Sequence, residues 1–143
     1  METLAALLKH KGTGVTTVSP QASAHEAGRV MAEEDIGALL VMEEEKPVGI
    51  VSERDLARKV LLKGLSPKEV TVREVMTEHV VYVRLEQTLE EAMALMTGKG
   101  IRHLPVFDGG RLKGILSIRD VVESVISEHK FTIQQLENYI SRG

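Results

Sequence analysis

The chain has 143 residues, of which 43% are hydrophobic and 27% charged, a composition typical of a soluble globular protein. Its net charge of −3 and its few aromatic residues argue against nucleic-acid binding, which needs positive charge and stacking rings. No apolar run approaches the roughly 20 residues that span a bilayer, so we expect no membrane partner. Cysteine is absent, which excludes disulfides and thiolate chemistry and fits a reducing, cytoplasmic location.

The first predicted element is a short N-terminal helix. The stretch METLAALLKHKG is too polar for the core of a secretory signal. Leu4, Leu7 and Leu8 recur at helical spacing, which predicts an amphipathic helix within a lead-in segment, residues 1–14.

A duplication organises the rest of the chain. GIVSERD (49–55) and GILSIRD (114–120) lie 65 positions apart, and the match extends without a gap from 15–61 to 80–126. Fourteen of these 47 aligned pairs are identical, which is far above chance. The two copies therefore predict two examples of one structural unit.

Each copy predicts the order strand, helix, strand, strand, helix. The first copy, 15–62, is divided into VTTV, a helix over 23–34, ALLVM, the polar turn EEEK, a strand ending in GIVS, and a helix over 53–62. The second copy, 80–127, is divided into VVYV, a helix over 88–98, HLPVF, the turn DGGR, a strand ending in GILS, and a helix over 118–127. In its first helix, Thr88 and Glu91 have the spacing of a capping box.

Two further segments complete the domain organisation. The linker 63–79 contains a short helical turn near Glu74, and the tail 128–143 contains FTIQQLENYI, which predicts a separate helix with Thr132 and Gln135 as a capping box. One three-stranded sheet would leave an uncovered face. We therefore expect an α/β (α+β) fold in which two β-α-β-β-α units pack as one pseudo-two-fold domain.

The repeated phrase combines helix capping with anion-binding chemistry. Its serine can cap the following helix, and its aspartate is favoured in the first turn by the helix dipole. Its arginine is disfavoured there, and a helix N-terminus, a hydroxyl and an arginine together form a phosphate site. The aspartate can accept the hydroxyls of a ribose, and the preceding glycine lets a flat base approach. Alternatively, Arg54 pairs with a surface glutamate and the phrase is only a helix start.

The duplicated G-h-h-S-x-x-D pattern, with IGALLV and IRHLPV upstream, resembles the CBS (cystathionine-β-synthase) domain pair, or Bateman module, over about residues 12–127. The resemblance implies a regulatory fold that binds an adenosine ligand in two clefts, each combining residues of both copies. The implied ligands are AMP, ADP, ATP, NAD(H) and S-adenosylmethionine. The residues implied for cleft one are Val15, Thr17, Ile36, Gly37, Ala38, Leu39, Ser117, Arg119 and Asp120. Those implied for cleft two are Val80, Tyr82, Ile101, Arg102, His103, Pro105, Ser52, Arg54 and Asp55.

The resemblance also implies roles within the clefts. The aspartates hold the ribose, the serines and arginines face phosphate, and the two isoleucines pack on adenine, with backbone groups at Val15 and Val80 at its edge. Tyr82, Arg102 and His103 give cleft two a ring and more positive charge. We therefore predict that the cleft with Asp55 and His103 favours the more highly phosphorylated ligand.

The sequence offers no catalytic arrangement. It has no nucleophile with an adjacent base and no histidines at metal-ligand spacing, so we expect no enzyme, no metal and no catalytic cofactor. The resemblance implies a sensor read by an unidentified protein target or within a homodimer, through helices 57–62 and 121–126. A ligand-free interaction scaffold and a nucleotide-processing enzyme are the alternatives, although the enzyme would lack an acidic metal-binding cluster.

Overall fold

The protein is described by a computed structural model over residues 3–11 and 15–142. Parts of the predicted lead-in (1–2 and 12–14) and tail (143) lie outside the described residues. The chain divides into two compact units. The first unit is Val15–Val81, and the second unit comprises Met1–Gly14 and Tyr82–Gly143.

The elements follow the predicted order in both copies. In chain order they are α1 (Leu4–Lys11), β1 (Thr17–Val18), α2 (Ala24–Glu34), β2 (Ala38–Glu43), β3 (Lys46–Ser52), α3 (Glu53–Leu56) with its π-helical continuation (Ala57–Leu61), α4 (Val72–Val75), β4 (Val83–Arg84), α5 (Leu89–Lys99), β5 (His103–Asp108), β6 (Arg111–Ser117) and α6 (Ile118–Arg142). The predicted α/β class and its internal repeat are confirmed. Strands β1 and β4 are shorter than VTTV and VVYV suggested.

Each unit contains one three-stranded sheet of the same topology. In the first, β2 lies between β1, to which it is parallel, and β3, to which it is antiparallel. The second repeats this with β4, β5 and β6. Both hairpin turns place two successive residues at positive φ, namely Glu44 and Glu45 in one and Gly109 and Gly110 in the other. Glycine adopts that conformation without steric cost, whereas the glutamates do so under strain.

One face of α2 packs into the core of the first unit. Ala24, Ala27 and Met31 recur at helical spacing and are buried in a cluster with Leu39 and Val51. The N-cap Ser23 accepts a hydrogen bond from the Glu26 N–H at 3.0 Å. This cap and the apolar stripe explain why the helix begins where it does and which face it buries.

The second unit has the same cap in α5, where Thr88 Oγ1 accepts from the Glu91 N–H at 3.2 Å. The reciprocal half of the predicted capping box is replaced, because the Glu91 carboxylate accepts instead from the Gln87 side chain at 3.0 Å.

Helix α1 belongs to this unit. The Leu4 N–H donates to the Gln87 carbonyl at 3.1 Å, and the leucines of α1 are buried, as its amphipathic pattern predicts.

The linker is held against the first sheet. Thr77 exchanges two backbone hydrogen bonds with Ile50, at 2.8 and 3.0 Å, and Arg73 forms an ion pair of 2.6 Å with Glu43. The hydrogen bond from Arg73 holds the pKa of the Glu43 carboxyl below its usual value. The helical turn expected near Glu74 is present as α4, and the Thr71 N–H donates to the Glu74 carboxylate at 2.8 Å where this helix begins.

The C-terminal helix differs from the prediction. Helix α6 runs without a break from Ile118 to Arg142, so the prediction of a separate tail helix was wrong. Thr132 does not cap a helix, since its hydroxyl donates to the Glu128 carbonyl at 3.0 Å within α6. No glycine or proline interrupts this stretch, so nothing ends the helix of the second copy before the tail.

The glycine that opens each phrase allows a close approach of neighbouring protein atoms, while its predicted role beside a flat base stays a prediction. A Cβ at Gly49 would lie 2.5 Å from Met76 Sδ and 2.9 Å from the Thr77 carbonyl oxygen. A Cβ at Gly114 would lie 2.9 Å from a methyl carbon of Leu8. The linker and α1 thus occupy matching places beside the two phrases, each within its own unit.

We predict that Gly49→Ala lowers the free energy of unfolding by about 1–3 kcal/mol, because a backbone carbonyl must move. Gly114→Ala should cost less, since the end of the Leu8 side chain can rotate. Gly98→Ala is the control, because a Cβ there meets nothing within 4 Å and alanine favours the helix. Urea denaturation measures all three, and equal values for Gly49→Ala and Gly98→Ala would contradict the packing role.

Candidate functional site

Each repeated phrase forms the junction between the last strand of a sheet and the helix that follows. Strand β3 ends at Ser52 and β6 ends at Ser117. Because each is antiparallel to the central strand, the residue that begins the central strand lies beside the serine. Ala38 is the register partner of Ser52, and His103 is the register partner of Ser117. One end of each sheet therefore gathers the predicted site residues of that unit.

In the first unit, Ser52 and Asp55 form a reciprocal capping box. Asp55 Oδ2 accepts from the Ser52 N–H at 3.0 Å and from the Ser52 hydroxyl at 3.1 Å. The Asp55 N–H donates to Ser52 Oγ at 3.1 Å. This geometry satisfies two backbone donors at the helix start, and it confirms the capping role of both residues.

The second unit repeats the box, and two of its three hydrogen bonds are shorter. Asp120 Oδ2 accepts from the Ser117 N–H and from its hydroxyl, both at 2.8 Å, and the Asp120 N–H donates to Ser117 Oγ at 3.1 Å. The carboxylate is part-buried in both units. The duplicated phrase therefore builds the same polar junction twice.

The loop before each central strand is hydrogen-bonded to the start of the helix. The Glu53 N–H donates to the Gly37 carbonyl at 3.0 Å, and the Ile118 N–H donates to the Arg102 carbonyl at 2.8 Å. Within one unit, Arg102 and His103 thus lie beside Ser117. The crossed assignment, which places them with Asp55, stays a prediction.

Lys59 is a site residue that the sequence analysis missed. Its Nζ lies 3.1 Å from Asp55 Oδ1 and donates to the Val75 carbonyl at 2.9 Å. The Asp55 side chain is only 13% exposed, so this contact is better protected from solvent than a surface ion pair. The i,i+4 spacing from Asp55 was the available signal. Ser124 stands at the matching position of the second copy, so the two units differ here.

The two arginines of the phrases are exposed. Within the described part of the chain, Arg54 forms no ion pair, so no described glutamate takes the role that the alternative gives to a surface glutamate. Arg119 Nε lies 3.3 Å from Glu123 Oε1, in a solvent-exposed i,i+4 pair that contributes little to stability. Both guanidinium groups are accessible to an anionic ligand.

Three predicted residues belong to the interior of their own units. The side chains of Ala38 and Leu39 are buried within β2, and that of Pro105 is buried within β5. Ile36 and Ile101 are half-buried, and the N–H of each donates at 3.0 Å to the preceding helix, at the carbonyls of Met31 and Met96.

The residues predicted ahead of the first strands are more accessible. Val15 and Val80 are half-buried, and Thr17 is exposed at the start of β1. Tyr82 is exposed, and its ring packs edge-on against Phe107 with a centroid distance of 5.4 Å. This ring already has an aromatic partner within the second unit.

Metal and membrane features are absent from the described residues. No three histidine, aspartate or glutamate side chains among them are grouped so that they could hold a metal ion. None of the described helices combines the length and apolar character needed to cross a bilayer.

The comparisons with known proteins agree on one family. The model of the CBS domain matches residues 12–62 and 72–127. The mitochondrial CBS domain-containing protein CBSX3 of Arabidopsis thaliana is 38% identical over 83% of this chain, and the protein MK0525 of Methanopyrus kandleri is 40% identical over 76%. The chain spans 60% and 57% of the length of these two relatives.

Solved structures show the same fold. A putative signal-transduction protein with CBS domains from Burkholderia ambifaria is 47% identical, with a TM-score of 0.84 over 88% of this chain and 95% of its own. The CBS domain pair of MJ0100, solved with 5′-methylthioadenosine and S-adenosyl-L-methionine, is 24% identical, with a TM-score of 0.77 over 87% of this chain and 99% of its own. At that identity, the likeness to MJ0100 carries the fold alone.

The capping boxes predict a stability effect that is independent of any ligand. Asp55→Ala removes the acceptor of two hydrogen bonds and the partner of Lys59, so we expect it to lower the free energy of unfolding by about 1–2 kcal/mol. Asp55→Asn should cost less, because its amide oxygen still accepts from Ser52. Urea denaturation without ligand measures both variants. Equal costs would mean that the charge, rather than the hydrogen-bond acceptor, stabilises the junction.

Proposed function

Since the chain belongs to the CBS domain family, we propose that it is a regulatory sensor of adenosine nucleotides of the AMP, ATP or NAD type, without catalytic activity of its own. In this proposal the bound ligand changes the conformation of the module, and a protein target or a second copy responds to that change. A cytoplasmic location is part of the proposal.

The observation that carries the proposal is the duplicated Ser-x-Arg-Asp junction. Capping accounts for the serine and the aspartate in each unit but gives no role to the exposed arginine. An arginine beside a helix N-terminus is repelled by the dipole unless an anion neutralises it. A phosphate group fits that requirement and also accepts from a serine hydroxyl.

The part-buried aspartate suits the ribose of the same ligand. In the first unit, Oδ2 of Asp55 accepts from Ser52 while Oδ1 faces Lys59, and a carboxylate oxygen can accept more than one hydrogen bond. Ile36 and Ile101, half-buried beside the phrases, offer apolar surface for an adenine. The other cleft residues implied by the resemblance complete the proposed sites.

The two units differ in charge around their phrases, which supports unequal sites. The second unit has Arg102 and His103 beside Ser117, where the first has Gly37 and Ala38. If each unit supplies its own loop, the site of Asp120 favours the more highly phosphorylated ligand. If the loops cross, as predicted from the resemblance, the site of Asp55 does so instead.

A homodimer formed through helices is the proposed assembly. Leu61 and Leu62 are exposed at the end of the π-helical segment. A groove of about 750 Å³ lies beside them, lined by α2, α3, this segment and the start of the linker. Val122 and Ile126, at the matching positions of Ala57 and Leu61, are also exposed. Such repeated apolar surface suits an isologous contact between two copies.

A ligand-free interaction scaffold is the second candidate, because the capping boxes by themselves explain the serines and aspartates. A thermal-shift panel separates the two functions, with AMP, ADP, ATP, NAD, NADH and S-adenosylmethionine each at about 1 mM. A ligand at 100 times its dissociation constant should stabilise the protein by roughly 2.7 kcal/mol, which corresponds to several degrees. We expect one or two of the ligands to raise the melting temperature above its value in the same buffer without ligand.

The controls distinguish lost binding from lost stability. Asp55→Ala and Asp120→Ala should abolish part or all of the ligand-induced shift. Ser23→Ala and Thr88→Ala remove caps of α2 and α5 in the same two units, so they lower the melting temperature but should leave the ligand-induced shift unchanged. No shift with any ligand, or equal loss of the shift in all four variants, favours the scaffold.

A calorimetric titration with AMP and ATP tests the pairing of the loops. A His103→Ala change that is non-additive with Asp120→Ala and additive with Asp55→Ala places His103 in the Asp120 site. The reverse pattern supports the crossed clefts. Equal losses of AMP and ATP affinity in both aspartate variants would overturn the proposed inequality of the sites.

A further inference from the structure

Helix α6 continues well beyond the second copy and presents an apolar seam that its own unit does not cover. The seam consists of five residues at alternating spacings of three and four positions, namely Ile126, His129, Ile133, Leu136 and Ile140. This is the spacing of the a and d positions of a helix pair. Ile133 is 55% exposed and Leu136 is 58% exposed, although both stand in the middle of this seam.

We propose that this seam pairs antiparallel with the same seam of a second copy, which places Ile133 against Leu136 of the second copy. The pairing is isologous, so Leu136 meets Ile133 of the second copy in return. His129 and Ile140 form the outer layers, again against each other across the pair. The occupant of the seam is thus the tail helix of an identical chain.

Charge complementarity selects the antiparallel arrangement. With isoleucines at position a, Lys130 and Glu137 both occupy position e. Antiparallel helices bring e positions of the two chains together, so Lys130 of each copy faces Glu137 of the other, twice by symmetry. In a parallel pair, Lys130 would instead face Val125, and Glu137 would face Thr132, with no opposite charge in either place.

Phe131 supplies an internal control. It is 66% exposed, as much as the seam residues, but lies at position f on the opposite side of α6. The proposed pair leaves Phe131 uncovered. A general attraction between exposed apolar residues would depend on Phe131, whereas the proposed seam does not.

The absence of cysteine from the chain makes directed cross-linking a direct test. His129→Cys and Ile140→Cys are prepared as separate full-length variants, mixed without ligand and oxidised. The antiparallel register places residue 129 against residue 140 of the second copy. It also puts two copies of the same position about 16 Å apart along the axis, beyond the reach of a disulfide. We expect the mixed disulfide to exceed each same-variant disulfide several-fold.

The charges are tested in the same cysteine backgrounds. Lys130→Glu in both variants should reduce the mixed disulfide several-fold, and adding Glu137→Lys should restore it. Phe131→Ala should leave the yield unchanged. Same-variant disulfides in place of the mixed product would indicate parallel helices, and no disulfide would indicate a seam covered by something other than its own copy; both overturn the proposal. The ligand-free assay is independent of nucleotide binding, so either proposal can fail alone.

Discussion

The hydrogen bonds between the aspartate and the serine of each phrase are the constraint on which each unit depends. One carboxylate oxygen holds both the N–H and the hydroxyl of the last strand residue, at 3.0 and 3.1 Å for Ser52 and at 2.8 Å for Ser117. This ends the strand, starts the helix and orients its first N–H toward the loop carbonyl of Gly37 or Arg102. The sheet end, the loop and the helix start therefore share one polar centre.

The same carboxylate is the group proposed to bind ribose, so fold and function draw on one side chain. Its capping hydrogen bonds fix the rotamer before any ligand arrives, which reduces the entropy lost on binding. The cost is that the site cannot be changed without disturbing the helix start. A loss of binding in an aspartate variant therefore carries meaning only beside a variant that loses a comparable cap elsewhere, as Ser23 and Thr88 allow.

The sequence was most informative where local chemistry decides the structure. The duplication, the strand and helix order and the caps at Ser52, Ser117 and Thr88 follow from residue spacing alone, and the structure has them. The packing role of Gly49 could not be predicted from residue spacing, because it depends on Met76 and Thr77, which approach from the linker. Lys59 was missed for a related reason, since its second partner is the Val75 carbonyl, sixteen positions along the chain.

The differences between the two copies are informative because both copies keep the capping box that the fold requires. Beside that box, the first copy has Lys59 and Gly37–Ala38 where the second has Ser124 and Arg102–His103. The fold does not require these residues to match, so they can differ with function. The helix after the box differs most. In the first copy it passes into a short π-helical segment and ends, whereas in the second it runs on as 25 residues with an apolar seam. A helix of that length held at its start by Asp120 is a rigid connection, so one element joins the junction proposed to bind the ligand to the seam proposed to pair with a second copy.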